Sequence, residues 1–185
     1  MFNRKYVVFC LLIIALTVVV LSAMGRNFFC QCERVALWSG DINGPENSQQ
    51  LVDPYSPTHV LHGLGFYGLL YLVAPQAALP LRLIAAVAVE SGWEVLENSN
   101  FIINRYRAET VSYGYYGDSV LNSLSDIIMM IIGFYLASRL RVKYSILLFI
   151  MIEVALALWI RDGLLINIIM LLYPLEVLKN WQLGI

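Results

Sequence analysis

The chain has 185 residues, 59% of them hydrophobic and 14% charged, with a mean hydropathy of +0.71 and a formal net charge of −1. Soluble domains carry about 45–50% apolar and about 25% charged residues, so the composition argues against a soluble core and for a multipass membrane protein. The near-zero charge and the lack of a long basic run give no reason to expect a nucleic-acid partner, and three cysteines are too few for a disulfide framework.

The chain opens on an uncharged run from Tyr6 to Met24. It is longer than the roughly 7–15-residue core of a signal peptide, and "LSAMG" is a poor cleavage site, so an uncleaved anchor is expected. Hydropathy places further spans near 57–75, 80–99, 117–138, 144–160 and 163–178. The last two are short and separated by "RDG", as in a tight hairpin or a partly re-entrant pair. No barrel-like alternation is present, so each span is read as a helix, whose backbone polar groups are satisfied internally. The expected fold is one all-α integral membrane domain over 1–185, a bundle of five or six transmembrane helices.

Lys and Arg near the span ends set the orientation. With the N-terminus inside, Arg4, Lys5, Arg82, Arg139, Arg141, Lys143 and Lys179 fall on the cytoplasmic side, and Arg26, Arg34, Arg105, Arg107 and Arg161 outside. Both termini are then cytoplasmic, and the long polar connections 25–56 and 100–116 lie outside. Their Trp, Tyr, Asn and Gly content suits packing at a membrane surface. The first holds Cys30 and Cys32, a C-x-C that pairs internally or stays unpaired in an oxidising compartment and is too small alone for a zinc motif. Cys10 reads as an ordinary apolar residue of its span.

Ionisable side chains inside a membrane are costly, so each is a functional candidate. The second span begins with His59 and His62, at i and i+3. The third carries Glu90, Glu94 and Glu97 on one helical stripe, and the fourth carries Asp118, Asn122 and Asp126 on another. With a rise of about 1.5 Å per residue, these groups reach matching depths in the outer half of the bilayer, as a polar pocket opening outward. Clustered carboxylates in low dielectric cannot all ionise; they must bind protons, pair with cations, or hold a metal. A divalent metal is the economical answer, with zinc, iron or manganese suiting imidazole plus carboxylate, and magnesium or calcium suiting carboxylates alone.

Plainer roles compete at each position. The histidines also fit as interfacial caps, the Glu90/Glu94/Glu97 stripe as a vestibule wall, and Asp118 as the N-cap of the fourth helix. Asn122, Ser119, Ser123 and Ser125 suit helix–helix hydrogen bonding, and Glu153, mid-span without a basic neighbour, is expected to face the bundle protonated or paired. Neither a nucleophile elbow, an H-E-x-x-H motif, a P-loop nor a Rossmann fingerprint occurs.

Three stretches, "ENSQQLVDPYSPTHVLHGLGFYG", "VESGWEVLENSNFIINRYRAET" and "YGYYGDSVLNSLSDIIMMIIGF", resemble an uncharacterised family of bacterial inner-membrane proteins, a domain of unknown function. The likeness implies topology and a bacterial inner-membrane setting but no chemistry. A fainter resemblance to VanZ-like membrane proteins puts His62, Glu94 and Asp118/Asn122, or Asn122/Asp126, in the places of that group's His, Glu and Asp-x-x-x-Asn pattern, and implies a link to the cell envelope.

Together these readings predict a metal-dependent envelope enzyme, a hydrolase or transferase acting on a lipid-linked or cell-wall substrate at the outer surface. His59, His62, Glu94, Glu97 and Asp118 or Asp126 are expected to hold a divalent metal that activates water or polarises an oxygen. Glu90, Glu94 and Asp126 are the expected catalytic carboxylates, with Glu90 or Glu94 as base, and Arg105, Arg107 and Asn122 are expected to bind substrate. The alternatives are a non-enzymatic binding or assembly protein with a structural polar cluster, and a small proton-coupled transporter, for which no repeat or broken helix pair speaks.

Overall fold

The structure, a computed structural model, describes residues 3–185. It is all-α, as expected, but with eight helices: α1 (Arg4–Ala23), α2 (Ser56–Val73), α3 (Leu79–Glu97), α4 (Asn100–Glu109), α5 (Val120–Arg139), α6 (Val142–Trp159), α7 (Leu164–Leu172) and α8 (Glu176–Leu183). By length and composition, α1, α5 and α6 are long and apolar enough to cross a membrane. α2 and α3 have comparable length, but their histidines and glutamates make them less apolar than a simple lipid-facing span. Three helices thus qualify as spans on length and apolarity, packed with two polar-marked helices of similar length.

Helices α2 and α5 approach backbone to backbone. A Cβ added to Gly63 would lie 2.0 Å from the Met130 carbonyl oxygen, and one added to Gly133 would lie 2.1 Å from that of Val60. Small residues at such a crossing let two helices close without a side chain between them, the usual device where lipid removes the hydrophobic drive. Below this contact the core is apolar: Ala86 and Val87 of α3 meet Ile127, Met130 and Phe134 of α5, with Ile13 and Ile14 of α1 packed alongside. α6 contributes little burial and turns Ile146, Ile150, Val154 and Leu158 outward. Toward the other end of the bundle the same helices present polar groups, and that end is the mouth.

The 25–56 and 100–116 connections are ordered at this end of the bundle. The 25–56 segment satisfies the amide groups that a helix start leaves open: Ser119, Val120 and Leu121 N–H donate to the carbonyls of Ser48, Asn27 and Phe28 at 3.0, 2.9 and 3.1 Å. Cys30 and Cys32 form a disulfide in this segment. The 100–116 connection is not a plain loop, because Ser99 caps α4 by accepting from Ile102 N–H.

The segment expected as a sixth span, 163–178, is broken into α7 and the start of α8. The Glu153 carboxylate accepts from Leu164 and Leu165 N–H at 2.9 and 3.4 Å, so this mid-helix acid caps the start of α7. At about 1.5 Å per residue the nine-residue α7 covers only about half a bilayer core. It folds back over α4, where Arg105 Nε donates to the Leu171 carbonyl at 2.9 Å, and Lys179 Nζ of α8 donates to the Ala108 carbonyl at 3.1 Å. The described C-terminal segment thus lies at the mouth, and α1 begins at the opposite end. Lys179 therefore sits beside α4, at the end of the bundle away from Arg4 and Lys5, with which the sequence grouped it.

Candidate functional site

Three helices deliver the site, each by its own periodicity. The first turns of α2 carry His59 and His62, the last turns of α3 carry Glu90, Glu94 and Glu97, and Asp118 and Asp126 flank and enter α5. The sequence placed these groups at one depth, and the tertiary contacts bring them together. Beside them lies a cavity of about 540 Å³ whose lining includes His59, His62, Glu97, Asp118, Asn122 and Asp126, with Glu90 and Glu94 fully buried behind it. Its remaining wall is largely apolar, running past Gly65 and Leu69 of α2 between Val89 of α3 and Ile168 of α7.

One side of the cluster is saturated. His59 Nδ1 lies 2.7 Å from Glu90 Oε1, and His62 Nδ1 lies 2.9 Å from Glu90 Oε2. An ionised carboxylate only accepts, so both imidazoles carry a proton on Nδ1 and, when neutral, leave Nε2 with a free lone pair. Glu90, fully buried, therefore orients both rings. His62 is further fixed by the rings of Phe66 and Trp93, with centroids 5.7 and 6.4 Å away.

The other side is not. Glu94 is also fully buried, yet neither of its carboxylate oxygens has a hydrogen-bond partner among the described residues, and Asp126 Oδ1 is equally unpartnered. His59 Nδ1 is 3.5 Å from Glu94 Oε1, and His59 Nε2 is 3.8 Å from Asp126 Oδ2. His59, Glu94 and Asp126 each place one ligand atom within 4.8 Å of the others, as do Glu94, Glu97 and Asp118, and His59, His62 and Glu90. Buried polar atoms are nearly always satisfied, so a carboxylate orphaned on both oxygens beside one orphaned on a single oxygen calls for a cation or a proton.

Around this centre lies a second layer that the sequence did not reveal. Asn98, at the C-cap of α3, donates from Nδ2 to Asp118 Oδ2 at 2.8 Å and accepts from Asp118 N–H at 2.7 Å. The α5 cap is Ser119, whose hydroxyl accepts from Asn122 N–H at 3.0 Å, so Asp118 is not the N-cap and its carboxylate is freed toward the cavity. Tyr115 donates to Asp118 Oδ1 at 3.0 Å, and Tyr106 donates to Glu97 Oε1 at 2.9 Å while sitting 2.9 Å from the Asn167 side-chain amide. Burial first, and then the nearby carboxylates, push both phenols well above their usual range, so they remain donors at neutral pH. Asp53 caps the start of α2 by accepting from Tyr55 and Ser56 N–H at 2.7 and 3.1 Å. Tyr106 and Tyr115 lay in a segment read as surface loop, and only the "NFIINRYRAE" helix, with its Ser99 cap, could have flagged one of them.

The remaining site expectations fare unevenly. Asn122 borders the cavity, but its amide donates to the Gln50 carbonyl at 2.9 Å and so anchors the 25–56 segment. Arg105 and Arg107 do not line the cavity. The first bonds to Leu171 and sits 3.7 Å from Glu109, and the second donates to the Tyr115 carbonyl. Among the described residues no Lys or Arg borders the cavity, which leaves its carboxylates without a protein counter-cation.

A family model described as "Protein of unknown function (DUF2585)" matches residues 21–184. A protein of Paracoccus denitrificans named "UPF0314 protein" is 52% identical over 92% of this chain and 89% of its own length. UPF0314 proteins of Sinorhizobium fredii and Sphingopyxis alaskensis are 43% and 45% identical, covering 97% and 93% of this chain and 91% and 92% of theirs. No solved structure matches. The resemblance to an uncharacterised bacterial family is thereby confirmed, whereas none of these matches supports the VanZ-like likeness.

Proposed function

We propose that this chain, which belongs to the DUF2585 family, is a metal-dependent membrane enzyme, a hydrolase or transferase acting on a lipid-linked substrate at the outer face of the bacterial inner membrane. The observation that carries the reading is Glu94: a fully buried carboxylate with both oxygens unpartnered, beside Asp126 and His59.

The donor set fits a divalent ion. Two ligands bound at about 2.0–2.2 Å stand about 3–4 Å apart, and the 3.8 Å between His59 Nε2 and Asp126 Oδ2 lies in that range. A ligating histidine normally donates its other N–H to a carboxylate that fixes its tautomer, the part Glu90 plays for His59. One imidazole with two carboxylates suits zinc, manganese or iron. Such an ion supplies a Lewis acid that lowers the pKa of a bound water or polarises an ester oxygen. This chain's own contribution is to orient and to move protons. His62, held by Glu90 and facing the cavity, has a free Nε2 to accept a proton from a nucleophile, and Tyr106 and Tyr115 are donors at the cavity wall. Glu90, expected as the base, is spent on the two rings, so His62 takes that role.

The apolar wall between α3 and α7 supports a substrate with a hydrocarbon chain, because a chain lying there would reach the carboxylates without leaving an apolar surface. The Cys30–Cys32 disulfide at the mouth supports an outward orientation, since disulfides persist in oxidising compartments such as the periplasm. In this reading α2 and α3 cross the bilayer together with α1, α5 and α6.

The test is elemental analysis of the detergent-purified chain after loading with zinc or manganese and gel filtration. At least one tightly held ion per chain is expected, lost in Asp126→Asn. A wild-type protein that retains no ion and whose melting temperature does not respond to either metal would leave only the structural polar cluster.

A further inference from the structure

The three carboxylates Glu94, Glu97 and Asp118 form a second donor group that shares Glu94 with the first. We infer that the site is binuclear: a second, hard divalent cation of the magnesium or manganese type is held by Glu94, Glu97 and Asp118, with Glu94 bridging it to the ion at His59 and Asp126. This rests on the metal-centre reading above and extends it.

Four observations converge. A single ion at His59, Glu94 and Asp126 would need only one oxygen of Glu94, yet both are fully buried and unpartnered, and a bridging carboxylate uses one oxygen for each ion. The second group offers oxygen atoms only, the ligand type of hard cations. Its outer partners are in place: Tyr106 supports Glu97, and Asn98 and Tyr115 support Asp118. Such partners orient ligands and are as much a part of a metal site as the ligands themselves. Finally, Glu97, Asp118 and Asp126 line a cavity that no Lys or Arg borders among the described residues, with Glu94 buried beside them, and one divalent ion cannot balance four carboxylates. Inward-facing carboxylates and a histidine on adjacent helices are the means by which helix bundles hold ion pairs.

A pair of ions about 3.5–4 Å apart can hold both the attacking and the leaving oxygen of an in-line displacement. Among the described residues no Lys or Arg borders the cavity, so the cations would be the permanent positive charges to meet an anionic headgroup, and the ion pair favours a phosphate ester over a neutral ester as the reacting group.

The experiment is a manganese titration of the full chain in detergent, with bound metal counted by equilibrium dialysis and spin coupling read by electron paramagnetic resonance. Two ions per chain with an exchange-coupled spectrum are expected. Glu97→Gln should bind one ion, with an uncoupled spectrum and its second equivalent weakened about tenfold or more. Asp118→Asn provides the same readout should Glu97→Gln not fold. One uncoupled ion in the wild type overturns the second site and leaves the first standing, and no bound ion overturns both. Two coupled ions retained in both variants overturn the assignment to Glu97 and Asp118.

Discussion

Glu90 and Glu94 lie one turn apart on the same helix stripe, are buried to the same degree, and face the same histidine-bearing helix. One accepts from two imidazoles at 2.7 and 2.9 Å; the other has no partner on either oxygen. Equal burial of the same side chain thus gives opposite energetics. For Glu90 the cost of leaving water is offset by two charge-assisted bonds, and for Glu94 nothing in the protein offsets it. A carboxylate in that condition needs a proton or a cation that the surrounding side chains do not supply.

The comparison breaks most visibly at Glu90. Glu90→Ala leaves two imidazole N–H groups buried without an acceptor, and a loss of about 3–5 kcal/mol is expected, as for one partner removed from a buried pair. Thermal unfolding of the metal-free protein measures it, and an unchanged midpoint would mean that the rings find other acceptors.

Asp162 lies between the two extremes and outside the membrane-spanning helices. Its carboxylate accepts from Gly163 N–H at 2.8 Å and from the Tyr55 hydroxyl at 3.3 Å, yet burial outweighs both bonds and pushes it up to about 6. A carboxyl raised in the folded state binds its proton more tightly there than in the unfolded chain. Its contribution to stability is therefore greatest below the unfolded value near 4 and is lost as pH rises through about 6, by at most about 1.4 kcal/mol per pH unit. Asp162→Asn should flatten that segment of the stability–pH curve, and an unaltered slope would assign it to another group.

Glu94 gives the smallest effect and the opposite sign. In protein stripped of metal, Glu94→Met replaces an unpartnered buried carboxylate by an apolar side chain of similar length, and a gain of about 1–2 kcal/mol is expected. In metal-loaded protein the same change should abolish the stabilisation that the ion provides. A loss in the stripped protein would show that Glu94 has a partner after all, and would collapse the contrast with Glu90.

Much of the site was legible because helical periodicity is legible. His59 and His62, the Glu90/Glu94/Glu97 stripe and the Asp118/Asn122/Asp126 stripe were each placed on one face by spacing alone, and alternation of apolar runs put the three faces at one depth. Arg105 and Arg107 misled because proximity in sequence to a pocket does not fix the direction of a long side chain, and both bond backbone carbonyls of neighbouring segments instead. The sixth span misled because hydropathy counts apolar residues but does not register the cap that Glu153 forms at the start of α7.

The sequence by itself determined the all-α class, the long helices and the set of ionisable groups that share a level, since each follows from period and composition within a segment. The tertiary structure alone decided which carboxylate is satisfied and which is left bare. That depends on the Gly63–Gly133 contact that draws α2 against α5, and on α3 packing beside them so that His59 and His62 reach Glu90 across 31 and 28 residues of chain. Hydrogen-bond satisfaction is a property of atoms a few ångströms apart in space, and no spacing along the chain encodes it.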